Sequence, residues 1–540
     1  MKNLFFIYFM SFLWCQSTDF IPYDWGGQFG HVNRNGGLFW NEDWRAGRLF
    51  FDGTWTIYPR LFGPEIEEKF INSNQDEPQF DTTAVTSYFI YDQGDYLLDR
   101  LSVGANYAGN GRNLHIHGFK RSYAGPYNQY DSENPQPIQQ TYTVSYESIK
   151  DQNRAGVSVG YFNTYSGLED TLTKGIIDNR MTTANSFWDR SFGNFKSKVC
   201  VDQFLQRYQA NHSLWKYSGV DRYLTRSKYS GEIVWNKSEH FSLFYKLEMN
   251  SRSIRLDSIN VVDSINVVEW NEIIVGSKLK GFNIQAGILH NNNNIENEFN
   301  VRYKKRINSI SGKINYKRNV LPVHFYAAEF DTSNLSNLGR RDVFTGKINW
   351  TGKKNDVFIF FSNRKYNTIS NSARTNTSNI PSDETNYSFG IQYQTSFIPF
   401  IKLETKYSRQ DGASLISDGI KDKIKLETET QLKLFDGFMD LNASVSFNGW
   451  MNRQSVGYMH LIEMIPIRNS NSTDLKDVWF INGSVTAYVS TFTIKYEWYN
   501  IATMILASME TDQDNYVQVH PEMPLLGRQV NLSLEWHFLD

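Results

Sequence analysis

A two-residue hydrophobic period runs through most of this chain and restricts its fold more than any other feature. At the C-terminus Val530, Leu532, Leu534, Trp536 and Phe538 alternate with Gln529, Asn531, Ser533, Glu535 and His537. Ile424, Leu426, Thr428, Thr430, Leu432 and Leu434 alternate with Lys425, Glu427, Glu429, Gln431 and Lys433. Residues 241–250, 310–317 and 439–448 repeat the pattern. Successive side chains of a strand point to opposite faces, so each segment reads as a strand with one apolar and one polar side.

The spacing between these runs adds a second constraint. From Leu321 onward, tight connections near Lys353-Lys354, Phe397-Ile398, Asp436-Gly437 and Ser490-Thr491 alternate with long ones at about 331–340, 366–384, 410–420, 449–476 and 505–525. Long loops on one edge and short turns on the other are the habit of barrels that span an outer membrane. Upstream the alternation is less regular, and 281–317 fits three strands only with a short turn on the long-loop edge. Ten strands fit between Leu321 and Phe538, and the same spacing places about eleven in 82–320. The expectation is an all-β fold: a closed antiparallel transmembrane β-barrel of about 22 strands, within 18 to 24.

Composition agrees with this reading. Mean hydropathy is -0.50, and no second apolar stretch near 20 residues follows the N-terminus, so membrane helices are excluded from the mature chain. Aromatic residues make up 15% of the chain and charged residues 21%. Lipid offers no hydrogen-bond partners, so spanning strands must pair all the way round. The apolar faces would then point outward, with Trp235, Trp350, Tyr407, Trp498 and Trp536 as interfacial rings. A net charge of -2 gives no basic excess for nucleic acid. Two cysteines build neither a disulfide scaffold nor a Cys-rich zinc site.

The first 17 residues have a positive start, an apolar run over 4–14 and small residues before a cut after Ser17, the layout of a secretory signal peptide. Trp14 before Cys15 argues against lipidation of that cysteine. Residues 18–81 form an N-terminal extension rich in Trp, Gly and Phe, which either inserts into the lumen and narrows it or stays in the periplasm. Residues 82–540 are the barrel.

The last strand, with Asn531, Ser533, Trp536 and Phe538 at its key positions, resembles the signal that barrel-assembly machinery reads on outer-membrane proteins, with Ser533 in place of the usual Gly. Met523-Pro524-Leu525-Leu526-Gly527-Arg528 before it is similar to the closing segment of TonB-dependent receptor barrels, with Leu526 where those carry Pro. The resemblance covers the barrel alone, because 64 residues are too few for a full plug domain. In style the chain also resembles the Asn- and Tyr-rich porin-like barrels of Bacteroidota-type bacteria. These resemblances imply a Gram-negative outer membrane, with its lipid and the assembly machinery as partners.

The polar strand faces place Lys246, Glu248, Arg302, Lys304, Lys402, Glu404, Lys406, Lys425, Glu427, Glu429 and Lys433 in the lumen. Both signs are interspersed, which predicts weak ion selectivity. His115 and His117 share a face, but no third ligand is identifiable, so no metal site is expected. The acidic stretches at Asp411, Asp418 and Asp512 read as solvated turns. No nucleophile motif accompanies the ten histidines, so neither an enzyme nor a cofactor is expected. Two functions remain. The first is a porin-like channel passing small polar solutes. The alternative is a plug-less, receptor-like barrel that binds an external ligand or a surface lipoprotein through long loops, where Tyr366, Tyr387 and Tyr516 offer rings for stacking.

Overall fold

The computed structural model describes residues 20–22, 30–33, 38–40, 50–51, 84–122, 138–168, 175–211, 221–258, 261–291, 294–322, 338–369, 383–413, 419–454, 456–460, 465–468, 474–502 and 528–539. The expected signal peptide lies outside these residues. So does most of 18–81, of which four short strands, Phe20–Pro22, Gly30–Asn33, Leu38–Trp40 and Phe50–Phe51, pair in sequence as a sheet of their own.

The main sheet is a closed barrel whose strands follow chain order. It begins with Ala84–Gly94 and ends with Gln529–Leu539, and these two strands close it, in register from Asn531↔Gly94 to Leu539↔Thr86. Asp474–Leu475 and Val478–Val489 both pair with Met439–Gln454 and form one stave, so the wall has 22 strands, every neighbouring pair antiparallel. Closure leaves no unpaired edge for lipid to meet.

Ten connections on one edge are two to five residues long, from 110–111 to 490–491. Asn110-Gly111 and Lys280-Gly281 both have positive φ at each position, the two-residue turn whose twist matches that of the flanking strands. Connections on the other edge reach 29 residues at 500–528, although 95–97, 259–260 and 292–293 are short. Gly281–Lys317 thus holds parts of three strands joined by a two-residue connection at 292–293 on the long-loop edge.

One count needs correction. Nine barrel strands, not ten, follow Leu321, and thirteen precede them. The strand expected to start at Leu321 is the far end of Ile310–Pro322. Pro322 has no N–H to continue a ladder, and it forms the last rung with the next strand, Pro322↔Leu338. Two loop rings also move. Tyr387 lies within Asp383–Thr395, on the outward face and half exposed, and Tyr366 lies within Asn355–Ile369. The strands run further toward the long loops than the apolar pattern alone reveals. Tyr516 lies outside the described residues.

Candidate functional site

Alternation along the strands decides which face each side chain takes. In Phe241–Ser258, Leu243, Tyr245, Leu247 and Met249 are exposed, while Ser242, Glu248, Asn250, Arg252 and Ile254 between them are buried. Nothing of the wall lies outside an isolated closed barrel, so strongly buried alternate side chains must face inward. Exposed apolar residues recur in register round the outside: Ile348, Ile359 and Ile391 are rung partners on three successive strands. The outside is apolar, as a lipid-embedded barrel requires, and the inside is largely polar but includes buried apolar side chains such as Trp270, Leu289 and Phe360.

The eleven charged residues singled out above share the inward-facing parity but do not form one site. Lys246 pairs with Glu248, which also receives Lys228 at 2.9 Å. Arg302 and Lys304 stand on Asn294–Ile307, where Lys304 faces Lys313 across the rung. The rest occupy Ile401–Ala413 and Ile420–Leu434. There Lys402 faces Glu429, Glu404 faces Glu427, and Lys406 faces Lys425. Like charges directly opposite each other are unfavourable. The two like-charged rungs are compensated within each strand, Lys406–Glu404 at 2.6 Å and Lys425–Glu427 at 2.8 Å, and Lys402 reaches Glu429 at 3.6 Å. Lys433, facing Asp440, is exposed beside the short turn at 435–438.

The inner wall is not uniformly open. From Leu338–Thr351 to Met439–Gln454, inward residues near the short turns are partly exposed, and those toward the long loops are buried. Lys402 and Glu429 are each 41% exposed. Further along, Ser362 is 0%, Arg364 3% and Ser408 3% exposed, with Arg341, Ser388, Gln410, Lys423 and Trp450 also buried. An empty barrel of 22 strands has an interior wide enough to leave such groups in water. The inner wall is therefore shielded from solvent on its long-loop half. Part of the cover comes from the wall itself, since the Phe360 ring lies against Gly390, where no side chain larger than hydrogen fits.

Arg341, Arg364 and Lys423 give this shielded sector a cationic character. Arg341 donates from Nε to Asn319 Oδ1 at 3.1 Å, and Arg364 from Nη1 to Ser388 Oγ at 3.2 Å. Sequence reasoning missed these residues because nothing local marks them as buried; on the strands of Arg341 and Lys423, Lys347 and Lys425 share their parity and are less buried.

His115 and His117 both face inward, and the His117 ring meets the Tyr88 hydroxyl. Among the described residues no group of three or more His, Cys, Asp or Glu is placed to hold a metal ion. Asp411 accepts the Gly412 N–H at 2.9 Å as part of a strand end. Asp418 and Asp512 lie outside the described residues. On the closing strand, Asn531 is buried and Ser533 faces inward. Trp536 and Phe538 face outward and stack at 4.7 Å.

The closed sheet, apolar exterior and polar interior define an outer-membrane β-barrel. Its architecture resembles that of TonB-dependent receptor barrels. The FrpB iron transporter of Neisseria meningitidis superposes with a TM-score of 0.62 at 8% identity, over 86% of this chain and 83% of that one. The copper transporter OprC gives a TM-score of 0.58 at 8% identity, over 86% and 82% of the two chains. The ferric preacinetobactin receptor BauA of Acinetobacter baumannii gives 0.57 at 10% identity, over 85% and 80%. No family model and no curated protein matches the chain.

Proposed function

We propose that this chain is a receptor-type outer-membrane barrel that takes a small external ligand, rather than a permanently open porin. The observation that carries this reading is the shielded long-loop half of the inner wall. A diffusion pore needs a continuous hydrated path, and selects by radius and lining charge. Here Ser362, Arg364 and Ser408 are withdrawn from water where such a path would run. The similar folds of an iron transporter, a copper transporter and a ferric preacinetobactin receptor support a small external ligand such as a metal or its chelate. No catalytic step forms part of this reading. Asn531, Ser533, Trp536 and Phe538 serve assembly, through recognition of the last strand, and not ligand binding.

Single-channel recording of the refolded chain in a planar bilayer tests this. The receptor reading expects a folded, heat-modifiable barrel with no long-lived ohmic steps, and quenching of its tryptophan fluorescence by a ferric chelate. Discrete stable openings without added ligand would overturn it and restore passive passage of small polar solutes, for which the open Lys402–Glu429 end of the wall is suited.

A further inference from the structure

The wall is notched at one place above the membrane band. Phe282–Asn291 and Asn294–Ile307 form a short hairpin joined at 292–293, and the strands on either side of it, Val261–Leu279 and Ile310–Pro322, run further toward the long loops. Among the described residues, 261–269 pair only with Phe241–Ser258, and 319–322 pair only with Leu338–Thr351. The 10 residues of Phe282–Asn291 make about 33 Å of strand, or about 25 Å of height at the usual tilt, which is the thickness of a barrel's apolar band. The outward side chains agree, since Asn271, His290 and Asn297 are polar and exposed at the hairpin's upper end. The notch therefore opens at the level of the outer-leaflet headgroups.

Its two sides overlap instead of meeting edge to edge. Val320 has the outward parity of Ile310 and Ile314 on its strand, yet it is fully buried in one cluster with Val268, Trp270 and Leu289, whose parity is inward. Arg340, outward by the same alternation, donates from Nη2 to Oε2 of the inward-facing Glu296 at 3.0 Å. Glu298, also inward-facing, accepts the Val320 N–H at 2.9 Å through Oε1. These contacts set the outer face of 319–322 and of Arg340 against the inner face of Val261–Leu279 and of the hairpin. The result is a lapped seam held through side chains, whereas neighbouring strands elsewhere are joined by backbone ladders.

A seam of this kind parts differently from a ladder. Opening a ladder frees N–H and C=O groups that lipid cannot satisfy. Opening this seam exposes apolar side chains: Leu289 and Val320 are 0% and Trp270 1% exposed when it is closed. Water entering would meet the full hydrophobic cost of that exposure. A hydrocarbon chain entering from the adjacent leaflet replaces the contacts that it breaks. The Trp270 indole keeps its own polar partner meanwhile, donating from Nε1 to Glu272 Oε1 at 2.8 Å.

We infer that this seam is a lateral entry site for the hydrocarbon chain of an amphiphile, which passes from the outer leaflet between Val320 and the surface of Val268, Trp270 and Leu289. The inference does not rest on the receptor reading, because the seam lies in the wall and its test reads no conductance. Full-chain protein in phosphatidylcholine nanodiscs is followed by tryptophan fluorescence. The Trp270 contribution is the difference between the unmodified protein and W270F with its heat-modifiable fold intact. Bromine quenches at contact range, so brominated stearate, or brominated phosphatidylcholine as the disc lipid, should remove most of the Trp270 emission. The probe that does so names the source of the chain, a free amphiphile or the bilayer's own lipid. V268C/V320C on a C200S background, closed by a disulfide or a short cleavable crosslinker, should lose this quenching and regain it on reduction. R340Q, which removes the ion pair across the seam, should increase it. If W270F does not fold, the difference between the crosslinked and reduced protein reads the same contribution. Absence of Trp270 quenching by either probe, while the lipid-facing Trp188 is quenched, overturns the inference. Equal quenching in the crosslinked and reduced forms overturns the route through the seam. Equal quenching by water-borne acrylamide overturns the assignment to a hydrocarbon chain.

Discussion

Ile359→Arg puts the facing of the wall to its most direct test. Ile359 is 43% exposed and outward, flanked along its strand by Val357 and Phe361 and across the rungs by Ile348 and Ile391. Two and four positions past Phe361 the outward residues become polar, at Asn363 and Lys365, so Ile359 marks the middle of the apolar band on this strand. An arginine at the midplane of the lipid face costs about 2 to 4 kcal/mol, which is roughly 30- to 1000-fold in the folding equilibrium. Gln392 is the rung partner of Phe358 and faces inward at the same level. Gln392→Arg should change stability by less than about 0.5 kcal/mol, because the open half of the lumen supplies water. The assay is urea-dependent folding into phosphatidylcholine vesicles, followed by the mobility difference between heated and unheated protein. If the outer face met water, Ile359→Arg would be neutral or stabilising. That outcome, or a larger loss for Gln392→Arg than for Ile359→Arg, refutes the reasoning that placed the apolar face against lipid.

Three further expectations concern the wall. Glu248→Gln leaves Lys228 and Lys246 facing a neutral partner in a partly buried setting; each lysine is about one-third exposed, so the loss should fall near the lower end of the range for broken buried pairs, about 3 kcal/mol, and an unchanged denaturation midpoint would contradict it. Gly390→Val drives a side chain into the Phe360 ring and the Tyr407 carbonyl and should cost about 2 kcal/mol, read as a lower urea midpoint with the barrel otherwise intact. Lys280 has φ 42° in a two-residue turn, so Lys280→Asn should raise stability by roughly 0.5 to 1 kcal/mol; a decrease would show that the lysine side chain makes a contact of its own there.

The sequence by itself determined the class of fold. Period-two alternation is a local property, because a strand's two faces follow from its pleat, and it gave the facing of Leu243 and Glu248 without any tertiary information. The tight connections and the approximate strand number followed from the same local signals. Other features depended on register and closure, which couple residues far apart in the chain. Pro322 ended a strand that the pattern alone had restarted at Leu321. The compensation of Lys406 against Lys425 by Glu404 and Glu427 exists only because two strands meet in one particular register. Val268, Trp270, Leu289 and Val320 are dispersed over some 50 positions, and only the lapping of one stretch of wall over another brings them into one cluster. Burial of Ser362 and Arg364 was likewise invisible, since alternation says which face a side chain takes but not how much water reaches it. That is set by what closes over the wall, a property of the whole barrel and not of any strand.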